Sequence, residues 1–123
     1  MIPGVVTSKL EATVRFHILG ANGQSQAIDA IVDTGFEGFL SLPSVTVASL
    51  GLPWIYQDRT ELIDARTIPI DIHSAVVIWN GKLRSIDVQA LGGCNLIGMR
   101  LLAGHDLAIR VTDGGAVSID GIP

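Results

Sequence analysis

Cysteine is nearly missing from this chain: Cys94 is the only one in 123 residues, which excludes a disulfide within the chain and suits a reducing compartment. Basic charge is equally thin. Two lysines, Lys9 and Lys82, and six arginines stand singly along the sequence, so no basic stripe is available to follow a phosphate backbone. With a net charge of −4, nucleic acid is not an expected partner. No apolar run approaches the about 20 residues that a membrane helix needs. Residues 1–6, Met-Ile-Pro-Gly-Val-Val, carry neither a basic n-region nor a long apolar h-region. The expectation is a cytoplasmic protein without a membrane partner. Charged residues make up only 16% of the chain against 48% hydrophobic, a surplus that points to burial between subunits as well as within one. The length fits one domain spanning residues 1–123.

Several kinds of site are also missing. His17, His73 and His105 are isolated from one another and from any carboxylate or thiol at ligand spacing, so no metal and no cofactor are expected. Cys94 with His105 has no accompanying oxyanion motif, and Cys94 reads as an ordinary buried thiol. Asp71 and Asp87 alternate with Ile70, Ile72, Ile86 and Val88, which makes them solvent-face strand residues rather than a carboxylate pair for glycoside chemistry. Trp54, Tyr56 and Trp79 are too few and too scattered to form a recognition platform; core or interface packing is their default, with cleft lining as an alternative for the first two.

What is present is punctuation. Gly20 to Gly23, Gly35, Gly51-Leu52-Pro53, Asn80-Gly81, Gly92-Gly93 and Asp113-Gly114-Gly115 interrupt alternating or β-branched stretches at short intervals, the pattern of a small all-β domain. Strands are expected over residues 10–19, 24–32, 68–79, 82–91, 107–111 and 116–119. Asn80-Gly81 suits the two positive-φ positions of a type I′ turn and predicts a hairpin. Residues 43–51 fit a short helix with Ser41 or Ser44 as cap and Gly51 as stop, or a strand on the alternation of Val45 and Val47; the helix is preferred. Residues 98–104 place strong helix formers between two glycines and predict a helix of about two turns.

One carboxylate stands apart. Asp33-Thr34-Gly35 occurs once, at the end of the apolar run Ala30-Ile31-Val32, and a second apolar step, Leu96-Ile97-Gly98, follows about sixty residues later. Acid/base chemistry on an amide needs both a base and a proton donor, so a lone aspartate on a tight turn raises the question of a second chain.

These segments, Ala30 to Phe36 and Leu96 to Leu102, resemble the retropepsin-like single-lobe aspartic peptidases of the pepsin-like clan in order, separation and intervening β pattern. The resemblance implies an acid-protease fold of one lobe, a small closed β-barrel with one short C-terminal helix. It also implies a homodimer in which each chain contributes catalytic Asp33 to hydrolysis of a polypeptide substrate, with no metal. Thr34 would brace the paired loops, Gly35 would let backbone approach the site, and Leu96, Gly98 and Arg100 would support it. Residues 60–69 would form the flap, with its tip near residues 63–66. The expected cleft is apolar, lined near Phe36, Ile63 and Ile97, with Glu37, Asp64 and Ala65 beside it and Glu37 paired to Arg100. Two features depart from the retroviral pattern: the flap tip lacks glycine, and Phe36 stands where a small residue is common. A catalytically silent peptide- or protein-binding dimer of the same fold is the alternative, and an unrelated β-barrel interaction domain a third.

Overall fold

Alternation becomes burial along the second strand, where Val14, Phe16 and Ile18 are buried while Arg15 and His17 face solvent. The computed structural model describes residues 1–123 as a chain built mostly of strands. They run β1 (Ile2–Val6), β2 (Ala12–Leu19), β3 (Ser25–Val32) and β4 (Leu40–Leu42), then helix α1 (Ser44–Leu50), β5 (Trp54–Glu61), β6 (Thr67–Trp79), β7 (Lys82–Ala90), β8 (Leu96–Ile97), helix α2 (Met99–Leu102), β9 (His105–Ile109) and β10 (Ala116–Gly121). The ladder order is β5-β6-β7-β4-β8-β3-β2-β1-β10-β9. The 13 residues of β6 reach far enough to pair with β5 near its start and with β2 near its end, through His17↔Ile78 and Leu19↔Val76. Pairings therefore run β2-β6-β7-β4-β8-β3 and return to β2.

The core is a cluster of 22 buried residues, among them Leu40, Val77, Val88, Ile97 and Leu101, and it takes in residues of β1, β10 and α1 as well as of the ring. Trp79 fills its end, with its ring edge-on to Phe16 at a centroid distance of 5.6 Å. Its indole N–H donates to His105 Nε2 at 3.3 Å, while His105 Nδ1 lies 3.0 Å from the Ala103 carbonyl, so the neutral ring carries its proton on Nδ1. No helix is long and apolar enough to cross a membrane.

The β6–β7 hairpin turns at Asn80 and Gly81 with φ of 52° and 79°, as that dipeptide predicts. Within residues 43–51 the preferred helix forms as α1 over Ser44–Leu50, and Gly51 stops it with φ 65°; with α2 the chain has two helices, one more than the fold the resemblance implies. Neither serine caps α1: Pro43 occupies the N-cap, and Ser41 is buried in β4, where its hydroxyl lies 3.4 Å from the Leu91 carbonyl and accepts from Gln89 Nε2 at 3.1 Å. Cys94 is exposed rather than buried, because it follows two glycines in the loop before β8. Trp54 and Tyr56 are exposed on β5, not packed in the core.

Candidate active site

Strand β8 is only two residues long, yet it holds both ends of the Asp33 loop. On one side it runs parallel to β3 through Val32↔Ile97, and on the other antiparallel to β4 through Leu40↔Ile97. Residues 33–39 therefore leave one neighbour of β8 and return as the other, passing over its C-terminal end. The Asp33 N–H donates to the Ile97 carbonyl at 2.9 Å, fixing where the loop begins. A tight turn follows, with the Phe36 N–H donating to the Asp33 carbonyl at 3.1 Å. The Gly35 N–H donates to Asp33 Oδ1 at 2.9 Å, which orients the carboxylate and leaves Oδ2 without a partner in the chain. Asp33 is half-buried, whereas Thr34 and Gly35 are exposed beside it.

The start of α2 serves as the loop's clamp. Backbone N–H groups at a helix start have no partner inside the helix, and here the loop supplies it. Gly98 donates to Phe39 O at 3.0 Å, Met99 to Phe36 O at 2.8 Å and Arg100 to Gly38 O at 3.1 Å. That proximity requires glycine: a Cβ on Gly98 would collide with the Gly38 carbonyl oxygen and lie 2.7 Å from the Phe36 ring. At the other end of α2, the Arg84 guanidinium donates to the carbonyls of Leu101 at 3.1 Å and Arg100 at 3.2 Å, over the Phe39 ring. Gly98 thus lies directly against the Asp33 loop, Leu96 pairs with Ile31 and Ser41 in the strands that flank it, and Arg100 contributes its backbone.

A cleft of about 750 Å³ opens beside this loop. One wall is the loop from Gly35 to Leu40 with Arg100; the facing wall is β5, through Tyr56 and residues 58–61. Ile70 and Ile72 of β6 and Asp87 and Gln89 of β7 complete it. The lining is mostly polar, with 6 hydrophobic residues in 16, which corrects the expected apolar cleft. Ile97 is fully buried under the loop and cannot line it. Ile63, Asp64 and Ala65 sit at the tip of the β5–β6 hairpin, outside the cleft walls, with Ile63 wholly exposed. Phe36 and Glu37 do line the cleft. Glu37 and Arg100 share it without forming the expected ion pair; the ion pairs of the chain are Arg15–Asp29 and Arg66–Asp64.

Asp58, Asp87 and Gln89 are cleft residues that sequence reasoning did not place there, while Tyr56 lines it as the alternative reading had it. Partial desolvation, then the Asp87 and Asp58 carboxylates, pushes the Tyr56 phenol above its usual range. Strand β5 carries no buried residue, so no alternation marks it; its strand character comes from antiparallel pairing to β6, over Trp54↔His73 to Glu61↔Thr67.

No protein-family model and no curated protein sequence matches the chain. Among solved structures, the chain is similar to a retropepsin-like aspartic protease from Rickettsia conorii, with a TM-score of 0.59 and 16% identity over 99% of this chain and 92% of the other. At that identity the likeness is one of fold: this β-rich chain shares the architecture of a retropepsin-like protein.

Proposed function

We propose that the chain is an aspartic endopeptidase that works as a homodimer, with a water held between the Asp33 carboxylates of two copies. The observation that carries this reading is the placement of Asp33: half-buried, two residues before Gly35 where the cleft lining begins, with one oxygen fixed by the Gly35 N–H at 2.9 Å and the other without a partner in the chain. Two carboxylates facing each other across a two-fold axis cannot both ionise cheaply, so the pair shares one proton and titrates as a unit. The ionised member draws a proton from the water as it attacks the amide carbonyl. The protonated member donates to the carbonyl oxygen, and as the C–N bond breaks the departing amine takes the proton that the other carboxylate drew from the water, while the first carboxyl recovers its own from the collapsing intermediate. On this reading the ring of strand pairings is the small closed barrel of the retropepsin type, and the β5–β6 hairpin is the flap over a bound polypeptide. Thr34, exposed and without a side-chain hydrogen bond inside the chain, is the group that braces the two loops.

The test is cleavage of a mixed peptide library from acidic to neutral pH by the wild type and by Asp33→Asn. The substitution is expected to lower cleavage by about a thousandfold, within the range for loss of an acid/base group. Equal cleavage by both proteins would remove Asp33 from the mechanism. A second reading is a dimer of the same fold that binds peptide without cutting it. Its signature is peptide binding with no cleavage by either protein.

A further inference from the structure

The cleft beside Asp33 carries its own charge pattern. Glu37 on the loop, Asp58 and Glu61 on β5, and Asp87 on β7 bring four carboxylates to its walls, against the guanidiniums of Arg59 and Arg100. None of the four is in an ion pair. Arg59 Nη2 is held by the Thr67 hydroxyl at 3.0 Å on the next strand, and with Arg100 it leaves the four carboxylates in excess by two charges. Asp58 spends one oxygen on the Arg59 backbone N–H at 2.8 Å. The phenol of Tyr56 senses this field, since Asp87 and Asp58 both oppose its ionisation.

The cleft also borders the end of a sheet. Strand β5 pairs with β6 alone, so its other edge is unpartnered. Four consecutive residues of β5, 58 to 61, line the cleft, whereas one face of a strand would contribute only alternate residues. The cleft therefore runs along the strand's edge, where an extended segment fits.

We infer that the occupant of this cleft is an extended polypeptide segment bearing lysine or arginine, drawn in by the unpaired carboxylates of Glu37, Glu61 and Asp87. This rests on the proposed peptidase for turnover, and on the cleft alone for binding. Complementary charge raises the association rate and selects against acidic segments more than it adds to affinity. The effect is screened by salt over a Debye length of about 8 Å at physiological ionic strength.

Two measurements separate the inference from the peptidase reading. The first follows binding of fluorescent Lys/Arg, neutral and Glu/Asp peptides of equal length to Asp33→Asn by anisotropy, at low and high salt. The Lys/Arg peptides should bind about tenfold more tightly than the acidic ones, with the difference shrinking as salt rises. The second compares kcat/KM for the same peptides between wild type and the Glu37→Gln/Asp87→Asn variant, in which both altered residues are exposed and thermal melting reports the fold. The basic-to-acidic ratio should fall about tenfold in the variant. Binding that ignores peptide charge, or a ratio unmoved by the variant, overturns the inference. Charge-selective binding by Asp33→Asn without cleavage by the wild type overturns the peptidase and leaves the inference standing.

Discussion

Gly98 has no room for a side chain, because the Gly38 carbonyl oxygen and the Phe36 ring crowd the position a Cβ would take. The neighbouring groups are backbone and a half-buried ring held in the same clamp, so they cannot simply swing aside. Gly98→Ala should therefore cost about 3 kcal/mol, at the upper end for overpacking, read as a lower urea midpoint. The loss should fall on the Asp33 loop as well, seen as faster amide exchange at Gly35. A gentler residue-scale effect belongs to Arg15 and Asp29, which meet across β2 and β3 at 2.8 and 3.0 Å. Hydrogen bonding from Arg15 lowers the Asp29 carboxyl below its ordinary 3.8. A lowered folded value means the stabilisation is complete above that ordinary value and fades as pH falls through the lower one. Both side chains are more than half exposed, so solvent screening keeps the contribution small. Urea titrations of wild type and Asp29→Asn should therefore differ slightly at neutral pH and converge as pH falls well below the ordinary 3.8.

At the scale of elements, the β5–β6 hairpin turns without glycine by placing Ala65 at φ 66°. Hydrogen bonds from the Leu62 N–H to Arg66 O at 2.7 Å and from the Ala65 N–H to Leu62 O at 2.9 Å close the tip, and Arg66 Nε bonds Asp64 Oδ2 at 2.6 Å across it. A non-glycine residue at positive φ costs about 1 kcal/mol, part of which glycine would recover. Ala65→Gly should raise stability by about 0.5 kcal/mol after its own entropy cost, measured by thermal melting, while speeding amide exchange at the tip. This hairpin was expected only from the family resemblance, whereas β2, β3, β6, β7 and both helical segments were legible in the sequence, because each alternates or carries a glycine stop. Strand β5 was not: with no buried face it has no period of two, and its strand character comes only from its partner. Strands β1 and β4 were missed for a different reason. Pro3 and Gly4 break the pattern of the first, and Leu40-Ser41-Leu42 is too short to show one although all three residues are buried. Asp33 itself was legible from the apolar strand before it. Its cleft was not, since the polar walls come from β5 and β7, and Asp87 reads in sequence as a plain solvent-face residue.

For the whole molecule, the proposed chemistry is a property of two chains. Mixing equal amounts of wild type and Asp33→Asn, with time for exchange, should lower activity per wild-type chain by about half, because half of its partners then lack the second carboxylate. Specific activity should also fall on dilution, alongside dissociation seen by sedimentation. Activity that is linear in enzyme concentration and indifferent to the variant would leave the dimer without a catalytic role.

The ladder that builds the Asp33 loop joins distant parts of the chain: Val32 pairs with Ile97, and Ile2 with Ile119. At synthesis rates of roughly 5–20 residues per second, the loop at Asp33 emerges several seconds before the Gly98 clamp exists to hold it. Until then its carboxylate has neither a fixed direction nor a cleft beside it. The order of the chain thus acts as a timer, and a nascent chain would be inert toward its neighbours until its last third is made.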